Sequence, residues 1–314
     1  MTVELSEDIL YDTIIVGGGP AGLTAGLYCA RAKLNTLLFE KGTLGGQIAI
    51  TDLVENYPGF PEGISGKELT RRFKEQAERF GLRIVRKEVS KVEKAGKEIF
   101  IHLRTGELLR SKTVILAVGS RPRKLGVPGE EEFLNRGVSY CATCDGALFE
   151  GVPIAVVGGG DSAAQESLFL TRFASKVYLL HRRDQLRAQK HLQEKVFSNP
   201  KITFIPNKVV EEIKGSDFVE RLVIRDTKDN KLSELAVEGV FIFIGLEPNT
   251  NFLKGSVQLD DKGYIITDEK MRTSMEGVFA AGDCRSGATG QVAVAVGEGC
   301  IAAIEAERYI EDNF

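Results

Sequence analysis

The sequence predicts an α/β protein made of two three-layer units, one inserted whole into the other. Three observations carry that prediction. A glycine-rich turn, Gly17–Gly22, stands between an apolar strand and a small-residue helix. The same arrangement returns 141 residues later at Gly158–Ala163, and the two copies align without a gap. Two apolar strands ending in glycine, Thr113–Gly119 and Val240–Gly245, then close the units, each with a proline soon after. A length of 314 residues suits two domains of roughly 150 residues each. Glycine is the compositional outlier, 34 residues in all, well above the average usage of about 7%.

In the first unit, Asp12–Val16 reads as a short buried strand and Gly17-Gly18-Gly19-Pro20-Ala21-Gly22 follows it. A helix to about Lys33, a second strand over Asn35–Phe39 and an acid at Glu40 complete the pattern. Each glycine has a task in G-x-G-x-x-G. Gly17 makes the tight turn, Gly19 lets backbone approach a pyrophosphate, and Gly22 lets helix pack on strand. Helix N-terminal amides beside Pro20 and Ala21 would hold the pyrophosphate, and Glu40 would accept from a ribose hydroxyl. The alternative is a glycine-rich turn in an unrelated parallel sheet.

The second copy has a strand at Pro153–Val157, then Gly158-Gly159-Gly160-Asp161-Ser162-Ala163, which is G-x-G-x-x-A. A helix to about Phe173 and a strand over Lys176–Leu180 follow. Here His181 stands opposite Glu40, with Arg182, Arg183 and Arg187 beside it. Losing the acid and gaining guanidiniums converts a site for a free 2′-hydroxyl into one for a 2′-phosphate. This copy therefore reads as an NADPH site, the alternative being a solvated basic patch at a strand end.

Two sites in one chain read as two nucleotides, FAD and NADPH. Ala117 and Gly119 end the strand that closes the first unit. Gly277–Asp283 is a further strand ending in Gly282-Asp283, where an acid can reach a flavin's ribityl chain or pyrophosphate. The segment order makes residues 1–121 and 248–314 a discontinuous FAD-binding domain, with an NADPH-binding domain at 122–247 inserted into it. The crossings near Gly119–Leu125 and Gly245–Thr250 read equally as hinges and as plain surface connections.

Composition sets the outer limits. A formal net charge of −3, with 27% charged and 43% hydrophobic residues, gives no reason to expect a nucleic-acid or anionic-membrane partner. Met1–Asp8 carries three acids and no lysine or arginine, unlike a secretory signal, and no apolar run approaches the ~20 residues needed to span a bilayer. A cytoplasmic protein is expected, in which thiols stay reduced unless a catalytic cycle oxidises them.

Five cysteines are too few for a disulfide-built scaffold. Cys141-Ala142-Thr143-Cys144-Asp145 holds the C-x-x-C spacing used for redox switching or metal binding. A zinc site needs about four ligands. Neither the isolated Cys29, Cys284 and Cys300 nor His102, His181 and His191 supply the spacing, so no metal is expected. A dithiol fed by the flavin is the better reading, with Asp145 placed for general acid or base work. Cys29 and Cys300 are expected in the core, and no redox role is expected for Cys284.

Together these motifs resemble the low-molecular-weight thioredoxin reductases over nearly the whole chain. The resemblance is carried by GGGPAG (Gly17–Gly22), GGQ (Gly45–Gln47), VENYPG (Val54–Gly59), CATCDG (Cys141–Gly146), GGGDSA (Gly158–Ala163), HRRDQLRA (His181–Ala188) and GVFAAGD (Gly277–Asp283). It implies a homodimeric NADPH-dependent flavoprotein that reduces thioredoxin or a thioredoxin-like protein. Cys144 would then be the thiol facing the flavin, Cys141 the one attacking thioredoxin, and Asp145 the proton donor. It implies FAD contacts at Glu40, Gly46, Gln47, Asn56, Asp283, Gln291 and Val292, and NADPH contacts at Gly158, Gly160, Asp161, Ser162, Ala163, His181, Arg182, Arg183 and Arg187. One departure is Gly290, where the family usually has arginine before the glutamine. A reductase for another thioredoxin- or glutaredoxin-like protein, and a non-catalytic flavin redox sensor, are the alternative readings.

Overall fold

The structure, a computed structural model, describes residues 5–51 and 53–314, and of Cys144 only the backbone. The chain divides into two compact units, Met1–Arg121 with Glu247–Phe314, and Pro122–Leu246.

The first unit opens with β1 (Leu10–Val16), whose last four residues are all buried. A continuous buried run suits a central parallel strand covered on both faces. After the glycine turn comes α1 (Pro20–Arg31), with proline in its first turn, where a missing N–H costs no helix bond. This helix ends short of Lys33 because Lys33 adopts the left-handed conformation, with φ at 63°. The amides of Ala32, Lys33 and Leu34 then close back onto the carbonyls of Tyr28, Ala30 and Cys29. Strand β2 (Thr36–Phe39) pairs parallel with β1 from Thr13↔Thr36 to Val16↔Phe39. Helix α2 (Gly66–Arg79) is capped by the Ser65 hydroxyl, which accepts the Glu68 amide. Next, β3 (Arg83–Val85) joins β2.

Strands β4 (Val89–Ala95), β5 (Glu98–Leu103) and β6 (Leu108–Leu116) run antiparallel in succession. β6 starts before the expected Thr113 because its first residues pair with β5, Ile99↔Ser111, while its length pairs with β1. It stops before the expected Gly119, which turns in the left-handed region at φ 60°. Short β7 (Ser120–Pro122) leads out of the unit.

The second unit repeats the plan. In order it has β8 (Val138–Ser139), α3 (Ala142–Asp145), β9 (Pro153–Gly158), α4 (Asp161–Leu170), β10 (Lys176–His181), α5 (Lys190–Ser198) and β11 (Ile202–Pro206). Antiparallel β12 (Lys208–Gly215), β13 (Val219–Asp226) and β14 (Leu232–Ala236) precede β15 (Gly239–Phe243). The parallel sheet has the order β11-β10-β9-β15-β8. Helix α4 ends at Leu170 rather than Phe173, since the amides of Phe173 and Ala174 both turn back to the Leu170 carbonyl. One face of the sheet packs on α4 and α5 through Ala163, Leu170, Leu192 and Val196. The other packs on the antiparallel strands through Val210, Ile213, Leu222 and Ile224.

The chain returns through β16 (Leu246–Pro248), which pairs with β7. Strand β17 (Val278–Ala280) then adds to β6, Val278↔Val114, beside the order β3-β2-β1-β6. Helix α6 (Val292–Asn313) is much longer than the stretch Gly299–Ala306 legible in the sequence. Gly299 lies inside it where α6 crosses α1: a Cβ there would stand 2.2 Å from the Ala21 carbonyl oxygen. The fully buried Leu23 and the alanines Ala25, Ala302 and Ala303 fill the helical side of this unit. A leucine so buried stabilises by about 1.5–3 kcal/mol. Each unit thus places the strand before its glycine turn, β1 or β9, between the strand after the following helix, β2 or β10, and the closing one, β6 or β15.

Candidate active site and nucleotide cradles

The first glycine turn is held by backbone contacts that leave no room for side chains. A Cβ on Gly17 would lie 2.2 Å from the Ala117 carbonyl oxygen, and one on Gly22 would lie 1.9 Å from that of Gly17. At Gly19 nothing lies within 4 Å of a Cβ position, so the helix N-terminus opens onto free space. Glu40 closes one side: its carboxylate accepts the amides of Gly18 and Gly42, both at 2.7 Å. The Gly45 amide returns to the Gly18 carbonyl at 2.8 Å, and a Cβ on the next residue, Gly46, would stand 3.5 Å from the Gly19 Cα.

The structure thus gathers Gly17, Gly19, Pro20, Ala21, Gly22, Glu40, Gly46 and Ala117. Gly282 joins them, its absent Cβ facing that of Ala21 at 3.0 Å. Asp283 follows Gly282, and burial, reinforced by the Glu298 charge, raises its carboxyl above the usual range. A donor hydroxyl from a bound ligand would relieve that cost. Gln47 donates to the Ser120 carbonyl at 3.4 Å, next to Gly119. Asn56 donates to Gln291 at 3.0 Å, just before Val292, and these two hold each other rather than the glycine turn. An open cleft runs past Gly17 and Glu40 to Lys41, Lys87, Asn249 and Phe252.

In the second unit the glycines do the same work. Gly158 lies under the Phe243 carbonyl oxygen, 2.4 Å from a Cβ position, and Gly160 opens onto free space. His181 takes the place of Glu40: a Cβ on Gly159 would meet its ring at 2.4 Å. Burial first, then Arg187, Arg182 and Arg183, lowers the imidazole below its ordinary value, so it is neutral at pH 7. Its Nε2 is buried without a hydrogen-bond partner, as a ligand contact would leave it beforehand. The three arginines are exposed, and none pairs with a carboxylate among the described residues. Asp161 accepts both the amide and the Nε2 of Gln189, at 2.7 and 2.9 Å. That contact and the Arg187 amide on the Gly159 carbonyl at 2.6 Å fold the arginine loop over the turn. Ala163 already carries the methyl that Gly22 lacks, and Ser162 lies beside it in the first turn of α4.

The cysteine turn leaves β8 and enters α3. Cys141 is disulfide-bonded, and the side chain of Cys144 lies outside the described residues. Ser139 joins the two ends of the turn, accepting the Cys141 amide at 3.0 Å and donating to Asp145 Oδ2 at 2.7 Å. Cys29, Cys284 and Cys300 are free. Burial pushes the Cys29 thiol up to about 12 and the Cys284 thiol to about 11, so neither is a nucleophile near neutral pH. Cys300 departs from expectation. It is only partly buried on α6, and its hydrogen bond raises the Tyr28 hydroxyl.

The model of the pyridine nucleotide-disulphide oxidoreductases matches residues 11–299. The chain belongs to that family. It is 47% identical over 311 residues to the thioredoxin reductase of Peptoclostridium acidaminophilum, covering 97% of this chain and 98% of that one. To the Bacillus subtilis thioredoxin reductase it is 46% identical over 309 residues, covering 98% and 97%. The solved Lactococcus lactis thioredoxin reductase superposes with a TM-score of 0.94 at 44% identity, over 96% of this chain and 99% of that one. The T. acidophilum thioredoxin reductase gives 0.90 at 36% identity, over 96% and 98%. The resemblance read from the motifs is borne out.

Several residues of this family member escaped the motif reading. Ser139 lies two residues before C-x-x-C, outside the motif proper. Glu298 accepts the Gly282 amide at 2.7 Å and pairs with Arg285, bracing the Gly282-Asp283 turn. An acid immediately before the small-residue stretch of α6 was the available signal. Leu148, four residues after Cys144, is 78% exposed, which only the structure reveals.

Proposed function

We propose that this protein is an NADPH-dependent thioredoxin-disulfide reductase that carries FAD. One observation carries the reading: a disulfide-bonded Cys141 in C-A-T-C-D lies, in chain order, between two dinucleotide cradles of different charge. Gly17, Gly19, Pro20, Ala21, Gly22, Glu40, Gly46, Gln47, Asn56, Ala117, Gly119, Gly282, Asp283, Gln291 and Val292 would hold FAD. The turn Gly158–Ala163 with His181, Arg182, Arg183 and Arg187 would hold NADPH, the guanidiniums taking its 2′-phosphate. When bound, FAD supplies the two-electron relay between NADPH and the disulfide.

The rest is thiol chemistry of the chain itself. Once reduced, Cys141 attacks the partner's disulfide as thiolate and forms a mixed disulfide. Cys144 then attacks Cys141, the partner leaves as a dithiol, and the internal disulfide is restored. Asp145 donates a proton to the thiolate released when the internal disulfide is opened. Exposed Leu148 offers an apolar contact for a thioredoxin-like partner beside the reactive turn. The crossings over 119–125 and 245–250 act as hinges, so that one flavin serves nicotinamide and dithiol in turn. The protein works as a cytoplasmic homodimer. Among the described residues no helix is long and apolar enough to cross a membrane.

The test is spectral and kinetic. The purified holoenzyme should show an oxidised-flavin spectrum that NADPH bleaches and an equal amount of NADH does not. Cys141→Ser should keep that behaviour and lose reduction of thioredoxin. Full thioredoxin reduction by Cys141→Ser would reject the mechanism.

A further inference from the structure

Ser139 is 2% exposed and ends β8, fixed in place by its pairing with Phe241 of β15. Its hydroxyl oxygen accepts the Cys141 amide at 3.0 Å. A hydroxyl carries one proton, and two acceptors compete for it: Asp145 Oδ2 at 2.7 Å and the Cys141 carbonyl at 3.2 Å. The shorter bond goes to the carboxylate, where a charge adds to it. A side chain absent from the C-x-x-C-D motif therefore ties the acid of that motif to the backbone of its first cysteine.

The neighbourhood makes this tie specific. Tyr140, next along the chain, donates its hydroxyl at 2.5 Å to buried Glu130, which also accepts the Leu125 and Gly126 amides. Burial, then Glu130, holds that phenol above its ordinary value, so it does not compete for Asp145. On the other side Gly146 meets Leu170 and Phe173, both uncharged. Among the described contacts, the titratable groups at this turn besides Asp145 are Cys141, in its disulfide, and Tyr140 with its partner Glu130.

We propose that Ser139 is a positioning residue of the dithiol reaction, holding Asp145 at the cysteine turn and stabilising the carboxylate left after proton transfer. When the two electrons from NADPH open the disulfide, the S–S bond breaks and one sulfur leaves as thiolate. The Asp145 carboxyl gives that sulfur its proton and becomes a carboxylate, which the Ser139 O–H then serves. In the opposite direction the same carboxylate takes a proton back from the thiol. This rests on the proposed function, in which Asp145 is the proton donor.

The experiment follows the disulfide half-reaction of the holoenzyme by stopped flow, against pH, with oxidised thioredoxin as acceptor and flavin absorbance as the check on folding. Ser139→Ala should slow the step about 10-fold, as expected for a lost charge-assisted bond, and displace its pH profile to higher pH. Ser139→Thr, which keeps the hydroxyl, should restore the profile, and it serves alone if Ser139→Ala does not fold. Asp145→Asn should slow the step further and flatten the profile, and adding Ser139→Ala to it should cost under 2-fold more. Full additivity with an undisplaced profile, or a profile displaced as far by Ser139→Thr as by Ser139→Ala, would overturn the positioning role. An Asp145→Asn enzyme with wild-type rate and profile would instead sink the proton-donor assignment beneath it.

Discussion

The two glycine turns are one backbone device used twice, and they differ in what lies over the second glycine. In the first, the Glu40 carboxylate takes the Gly18 amide, and the returning loop is Gly45-Gly46, at φ 101° and 60°. In the second, the His181 ring covers Gly159, and the loop that makes the equivalent bond delivers Arg187. Gly45 onto Gly18 and Arg187 onto Gly159 are the same hydrogen bond, at 2.8 and 2.6 Å. The cradle is therefore a property of the backbone. Under the proposed function, nucleotide choice would then fall to one side chain over the turn and to what the loop carries.

The sharpest way to break that comparison is to exchange the third small residue. Gly22→Ala puts a methyl where 1.9 Å separates it from the Gly17 carbonyl oxygen. The Gly17 backbone on one side and the Ala117 Cβ at 3.3 Å on the other leave little to give, so about 3 kcal/mol or more is expected to be lost, at the upper end for overpacking. FAD content and thermal unfolding of the purified protein would show it. A Gly22→Ala protein that folds with a full complement of FAD would mean that the first turn admits the methyl as the second does, so that the two are more alike than their contacts indicate.

Exchanging charge tests the other half. Under the proposed function, Arg182→Ala or Arg187→Ala would remove one partner of the 2′-phosphate, about 1.5–3 kcal/mol for a hydrogen bond to a charged group. That should raise KM for NADPH roughly 10- to 100-fold and leave KM for NADH unchanged. Equal losses with both nucleotides would assign the arginines to folding of the loop. The reciprocal of the glycine exchange, Ala163→Gly, should be mild. It empties a space already shaped for a methyl and adds backbone freedom in α4, costing about 1 kcal/mol, read as a small fall in Tm with NADPH affinity kept.

What could be seen beforehand follows the same division. The glycine turns, Glu40, His181 and the arginines were legible because close backbone approach admits few residues and a 2′-phosphate needs fixed charge. The ends of elements were less so. α1 stops where Lys33 turns left-handed, and β6 starts early because of a β5 partner that no local pattern announces. α6 was read only in its middle, since Gly297 and Gly299 look like a helix boundary until α1 is seen to cross at Gly299. Cys300 looked buried by composition, yet it faces Tyr28 at the helix surface. Ser139 carries no signal of its own, because its partners become neighbours only when the cysteine turn folds.

The smallest expected effect lies in His181, and it separates the turns by pH. Burial and three arginines hold its folded-state value below the ordinary 6.5. In the window below about pH 6.5 the unfolded chain then binds a proton that the folded one refuses. Stability contributed at this site is therefore full above that window and is lost as pH falls through it. At the equivalent place in the first turn Glu40 accepts two backbone amides instead. His181→Gln should remove part of the acid-side fall in Tm between pH 7 and 5, a change of about 1–2 °C for a unit of this size. If His181→Gln steepens the slope instead, the ring is protonated in the folded state, and the charge facing the 2′-phosphate includes the histidine as well as the arginines.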